Sequence, residues 1–396
     1  MDTTHNVLIR SLMPRNLLSF GPEFQRLQLE PLNVLIGANA SGKSNILEVL
    51  QVLRSAPKDM EPVFRKGGGI GEWIWKGNLH GNASIDCVVR REQPLQHVRH
   101  VLSFGVASQR LQVFDERIED AFELQSESFQ RYYVGVAEGT PSVFYLTLDG
   151  ERSWTNAPTS RPHTSILSFF QDEMHYPELH LLSQSYNQIR IYREWSFGRN
   201  AVFRTPQKAD MRNDVLEEDF SNLGLVLNRL KTKFPAAKRA ILNGLKDLYD
   251  GIQDFDVMIE GGTVQVFFTE GDFVIPATRL SDGTLRYLCL LAILCDPTPP
   301  PLICIEEPEL GLHPDILPNL ADLLIAASER TQLVITTHSD ILVDAMTERP
   351  DAVVVCEKHD GKTEMNRLSP EALAVWLEKY RLGQLWIDGQ LGGKRW

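Results

Sequence analysis

Long apolar runs are missing from this 396-residue chain. No segment approaches the ~18 apolar residues that a membrane-spanning helix needs, so no membrane is expected as partner. The opening residues MDTTHNVLIR carry Asp2 early and no apolar h-region, and no signal peptide is expected. Cysteine is scarce and unpaired in pattern: Cys87, Cys289, Cys295, Cys304 and Cys356 include no C-x-x-C. An odd count without a framework fits a reducing cytoplasm, and Cys289, Cys295 and Cys304 sit in apolar runs as buried thiols. Positive charge is also short. A net charge of −12 excludes a protein that coats nucleic acid through its overall charge, though a local basic strip stays open. Internal repeats, low-complexity tracts and sustained heptads are absent.

What remains is an ordinary globular composition, 43% hydrophobic and 23% charged, with room for about two domains. The chain is organised around Val34-Leu35-Ile36-Gly37-Ala38-Asn39-Ala40-Ser41-Gly42-Lys43-Ser44. An apolar run enters G-x-x-x-x-G-K-S, and apolar residues at helical spacing follow from Ile46 to Leu53. Strand, phosphate loop and helix are the reading. Glycines let successive N–H groups turn toward phosphate oxygens, and the helix start adds partial positive charge. Gly37, Asn39, Ala40, Ser41, Gly42, Lys43, Ser44 and Asn45 are the candidate contacts to ATP. Lys43 reaches the β- and γ-phosphates, and Ser44 ligates Mg²⁺.

Leu302-Ile303-Cys304-Ile305-Glu306-Glu307 is an apolar strand that ends in two carboxylates. Beside a phosphate loop this is the Walker B arrangement. Glu306 is expected to hold Mg²⁺, and Glu307 to orient the attacking water. Earlier, Arg279-Leu280-Ser281-Asp282-Gly283-Thr284 opens a helical run and is similar to the L-S-G-G-Q signature of ABC ATPases, with Asp282 and Thr284 as departures. Thr336-Thr337-His338-Ser339 follows the apolar run Leu333–Ile335, and His338 stands where those ATPases carry their switch histidine. Pro308-Glu309-Leu310-Gly311-Leu312-His313-Pro314 occupies the place of the D-loop.

Taken together, these motifs make the chain resemble an ABC-class ATPase of the SMC, RecF and OLD type, most strongly over 6–55 and 276–345. The resemblance implies an α/β P-loop NTPase of ABC-ATPase head type: a central, mostly parallel sheet, an antiparallel β lobe and a helical, basic insert. It implies that ATP is sandwiched between two heads, so that Ser281 and Gly283 of one subunit meet the γ-phosphate held by the other. A homodimer on ATP binding follows, with Glu307, His338 and Lys43 as catalytic residues. No glutamine matches the Q-loop comfortably, since Gln51 is too close to the phosphate loop. The tail after His338 is too short for the Toprim domain of OLD nucleases, so a nuclease-like effector would be a separate chain.

The expected divisions are 1–60 and 276–345 for the head, 61–275 for the insert, and 346–396 for a closing hairpin and helix. Val7–Leu12 and Leu27–Leu29 are expected as strands feeding Val34–Ile36, and 83–148 as an antiparallel sheet. Within 190–212, Arg190, Arg193, Arg199, Arg204, Lys208 and Arg212 interleave with Tyr192, Trp195, Phe197 and Phe203 against Glu194 and Asp210. Three readings of this strip stand open: contact with DNA, a structural or subunit interface, and contact with nucleotide. The function expected is an ATP-hydrolysing dimeric switch acting on DNA or on an effector, in DNA repair or antiphage defence. An ABC transporter subunit and a low-turnover nucleotide-binding scaffold are the rivals.

Overall fold

The computed structural model of the chain describes residues 6–78, 81–91, 97–121, 130–135, 140–147, 151–157, 163–195, 198 and 201–393. Its centre is a six-stranded sheet made of β1 (Leu32–Ile36), β2 (Arg190–Tyr192), β3 (Leu302–Glu306), β4 (Gln332–Thr336), β5 (Val353–His359) and β6 (Lys362–Arg367). The spatial order is β2-β3-β4-β1-β5-β6. All neighbours are parallel except the final pair, where β6 returns antiparallel to β5.

β1, β3, β4 and the first half of β5 are apolar at nearly every position because both faces are covered, whereas the edge strand β6 is polar. Leu32, Val34 and Ile36 point into one core, with Ile303, Ile305, Leu333 and Ile335. That core also takes the helix Asp282–Leu294, which is buried from Leu285 onward. Leu35, Leu302, Cys304, Val334, Val354 and Cys356 point into the other core, with the helix Lys43–Ser55. Asn33 is the polar exception in β1. It is satisfied, since its Nδ2 donates to Leu333 O at 2.9 Å and its Oδ1 accepts from Glu30 N at 2.9 Å. All five cysteines are buried.

An eight-stranded antiparallel sheet encloses the second core. The strands Ile9–Arg15 and Leu27–Gln28 belong to it rather than beside β1, because Ile9–Arg15 pairs along its length with Ala83–Val89. Gln332, at the start of β4, ties the two sheets together. Its Oε1 accepts from Ile9 N at 2.9 Å and its Nε2 donates to Ile9 O at 2.8 Å. A third antiparallel sheet, built from Gln207–Lys208, Asp254–Glu260, Thr263–Glu270 and Phe273–Pro276, leads directly into the 279–284 segment.

The stretch 61–275 does not stand apart from the central sheet. Its residues 190–192 form β2 and pair with Ile303–Ile305. The closing segment is likewise integral. Val353–Val355 pair with Val34–Ile36, and beyond the expected helix, observed as Pro370–Leu377, a further helix Leu382–Ile387 buries Trp386.

Candidate active site

Strand register brings the candidate residues into one row. Tyr192 lies opposite Ile305, Glu306 opposite Thr336, and Thr336 opposite Leu35. The next residues of each strand therefore leave the same edge of the sheet: Arg193, Glu307, Thr337-His338 and the phosphate loop. In parallel sheets this carboxyl edge is where ligands bind.

In the phosphate loop, Gly37, Ser41, Gly42 and Lys43 are buried, Asn39 and Ala40 are exposed, and Ser44 and Asn45 are half-buried. Lys43 Nζ donates to the carbonyls of Gly37 and Ala38, each at 2.8 Å, which holds the ammonium inside the loop. Burial pushes its pKa below the ordinary lysine value, against the pull of Glu307, Glu309 and Glu306. Gly42 sits at φ +104, where a Cβ would meet Thr363 Oγ1 at 2.2 Å. That closeness reflects a brace: Thr363 Oγ1, at the start of β6, donates to Ser41 O at 2.8 Å and lies 2.6 Å from Ser19 Oγ. Asn45 Nδ2 donates to the same Ser19 hydroxyl at 2.6 Å. Among the described residues, Ser41 Oγ, which is buried, has no hydrogen-bond partner. This orphaned hydroxyl, the loop around Lys43 and the partial positive charge of the helix start fit a polyphosphate.

Beyond β3 the two carboxylates part. Glu306 Oε2 accepts from Arg193 Nε at 3.1 Å, and the same guanidinium donates from Nη1 to Glu48 on the helix after the phosphate loop. Glu307 takes the left-handed region, at φ +46, a conformation costing a non-glycine residue about 1–3 kcal/mol. The backbone holds it there: its N–H donates to Thr336 O at 2.9 Å and its carbonyl accepts from Arg286. The turn brings Glu307 Oε1 to 3.3 Å from His338 Nε2. Burial raises the Glu307 pKa above the ordinary carboxylate value, and Glu309 and Glu306 add to the rise while Lys43 and Arg286 oppose it. Glu309 sets the switch segment, accepting from Thr337 Oγ1 at 2.7 Å and from His338 N at 2.8 Å.

Ser281 caps the helix Asp282–Leu294 by accepting from Thr284 N at 3.1 Å, and its side chain is exposed. Gly283 is needed for close approach, since a Cβ there would meet Gly311 O of the D-loop segment at 2.7 Å.

A family model described as "AAA domain, putative AbiEii toxin, Type IV TA system" matches residues 32–344. The chain belongs to this AAA-domain family. No curated protein matches it. Among solved structures, the Smc head bound to the C-winged helix domain of ScpA is similar at 16% identity and a TM-score of 0.51, covering 92% of this chain and 99% of that one. The Smc head domain with an extended coiled coil, bound to the C-terminal domain of ScpA derived from Pyrococcus furiosus, is similar at 14% identity and a TM-score of 0.51, covering 94% and 99%. At these identities the likeness carries the fold: an ABC-type P-loop ATPase head, in agreement with the motif reading.

Within this AAA-domain head, Arg190, Arg193 and Arg204 of the basic strip turn inward, while Lys208 and Arg212 are exposed. Arg193 pairs with Glu48 and Glu306. Arg204 pairs with Asp282 at 2.6 Å, and Gly198 N donates to the same carboxylate at 3.1 Å. Arg212 pairs with Asp214 at 2.6 Å, and Arg190 donates to the carbonyls of Asn187 and Ile189. Arg199 and Phe197 lie outside the described residues. Asp282, a departure from the signature pattern, is thus the acceptor that ties the signature helix to the strip.

Trp195 completes the link. Its Nε1 donates to Glu306 O at 3.1 Å, and its ring lies between Phe220, at 4.9 Å, and the buried Arg286 guanidinium, at 4.1 Å. Burial lowers the Arg286 pKa to about 10. Gln51 lines a cleft of about 680 Å³ with Arg193 and Trp195. Sequence reasoning did not assign roles to Ser19, Glu48, Arg286 or Thr363, and left Arg193 and Trp195 within an unassigned strip. Only the register of β2 against β3, and the return of β6 to the phosphate loop, bring them to the site.

Proposed function

We propose that the chain is an ATP-hydrolysing head that closes as a dimer on nucleotide. The observation that carries this reading is the Glu307–His338 pair, 3.3 Å apart, in the row that also holds Lys43 and Glu306. Lys43, Ser41 and the amides of the loop bind the polyphosphate. Ser44 and Glu306 would hold Mg²⁺, which when bound neutralises charge developing on the phosphates. Glu307, kept in place by its backbone bonds and with its proton affinity raised, takes a proton from the attacking water. His338 orients that carboxylate and faces the γ-phosphate side.

The exposed Ser281, at a helix start, supports its use by a second copy rather than by its own phosphate loop. Mixing inactive Ser281→Arg protein with inactive Lys43→Ala protein tests this, since one geometry of the mixed dimer keeps one site intact. Recovered turnover is expected. No recovery while subunits demonstrably exchange would contradict the shared site.

The proposed partner is a separate effector protein, by extension from the Smc heads described as bound to parts of ScpA, and the setting is DNA repair or antiphage defence. DNA contact through the strip finds no support in Arg193 and Arg204, whose charges are met by partners within the chain. Among the described residues no helix is long and apolar enough to cross a membrane.

A further inference from the structure

The strip and the acidic end of β3 form one connected device. Arg193 spans Glu306 and Glu48, Trp195 bonds the Glu306 carbonyl, Arg286 stacks on Trp195 and bonds the Glu307 carbonyl, and Arg204 with Gly198 holds Asp282. The Glu306 carboxylate is only partly exposed, at 17%, and its partner Arg193 at 26%. Two cations cannot share that carboxylate without repulsion in a site so little screened.

We infer that Arg193 is a built-in competitor for the divalent cation at Glu306, and that its release relays occupancy of the carboxylate to the signature helix through Trp195 and Arg286. Glu48 gives the guanidinium a place to remain when it gives up Glu306. Trp195 stacks on Arg286, which lies on the helix Asp282–Leu294, so slack at Arg193 reaches the signature helix through that ring. This inference rests on the nucleotide-site reading above and adds a regulatory cation switch to it.

The test compares wild type with Arg193→Gln, which keeps a polar hydrogen-bonding end without charge, and with Arg193→Lys, which keeps charge without the planar fork. Binding of a non-hydrolysable ATP analogue is measured first, without metal. Mn²⁺ is then titrated into the analogue complex and the free ion followed by electron paramagnetic resonance. Arg193→Gln is expected to bind Mn²⁺ about tenfold tighter, the gain from removing one charge-assisted bond that the ion must displace. Arg193→Lys is expected to fall between the two.

Two further signals follow the relay. Trp195 emission, taken as the difference from Trp195→Phe protein, changes in wild type when Mn²⁺ is added and not when the analogue alone is added. Amide exchange at residues 281–285 rises with Mn²⁺ in wild type, and is already raised in Arg193→Gln without it. Unchanged or weaker Mn²⁺ binding by a folded, analogue-binding Arg193→Gln protein would overturn the competition. A silent Trp195 together with unaltered exchange would overturn the relay. Failure of wild type to bind the analogue at all would instead remove the nucleotide-site reading, and this inference with it.

Discussion

Glu307 Oε1 and His338 Nε2 stand 3.3 Å apart, brought together from the ends of two adjacent parallel strands. Neither residue is held by its side chain alone. Glu307 is fixed by backbone bonds to Thr336 and Arg286, and His338 by the carboxylate of Glu309 on its amide. The pair is therefore pre-arranged, as a group that must meet a water molecule in one geometry needs to be.

The raised Glu307 pKa makes hydrolysis sensitive to acid. Turnover needs the carboxylate, so the acid limb of kcat/KM, which reports the free enzyme, is expected above the range of an ordinary glutamate. Glu309→Gln removes a neighbouring negative charge, so that limb should move to lower pH. The stability sign is opposite to that of a salt-bridged acid. Between its unfolded and folded pKa values Glu307 binds more protons in the native state. Its contribution is present at low pH and is lost as pH rises through the folded value. A pH–rate series on wild type and Glu309→Gln checks the first claim, and a limb that stays in place counts against the electrostatic cause.

Glu309→Ala removes both bonds to the switch segment, from Thr337 Oγ1 and His338 N. We expect kcat to fall about tenfold or more, while affinity for a non-hydrolysable analogue stays near wild type. Equal losses in affinity and kcat would mean that Glu309 supports the phosphate loop and not the switch.

Thr363→Val deletes the bonds from β6 to Ser41 O and Ser19 while keeping the shape of the side chain. About 1–3 kcal/mol of stability should be lost, because the buried Ser41 carbonyl loses its donor, while the Ser19 hydroxyl keeps Asn45. Nucleotide affinity should fall with it. Denaturant unfolding with and without analogue measures both, and a variant as stable as wild type would show that the hairpin does not brace the loop.

The phosphate loop, the β3 carboxylates and the switch histidine are legible in the sequence because each is a short local pattern at a strand end. The row they form is not local. It depends on β4 lying between β1 and β3, which no single segment encodes. β2 is only three residues long, too short for periodicity to announce, yet its register sets Arg193 beside Glu306. The strip's charges were countable, but their partners Glu48, Glu306 and Asp282 are distant in sequence and defined by folding alone. The same holds for Thr363, whose hairpin reads as a closing ornament until β6 is seen to reach Ser41.

The most direct test of the account is Glu307→Gln. The change removes the charge and proton affinity of one side chain while leaving its backbone bonds to Thr336 and Arg286 in place. Single-turnover hydrolysis and equilibrium binding of ATP are measured on the same preparation. The account predicts that hydrolysis is lost while ATP stays bound and the dimer accumulates. Hydrolysis by Glu307→Gln protein at the wild-type rate would contradict it.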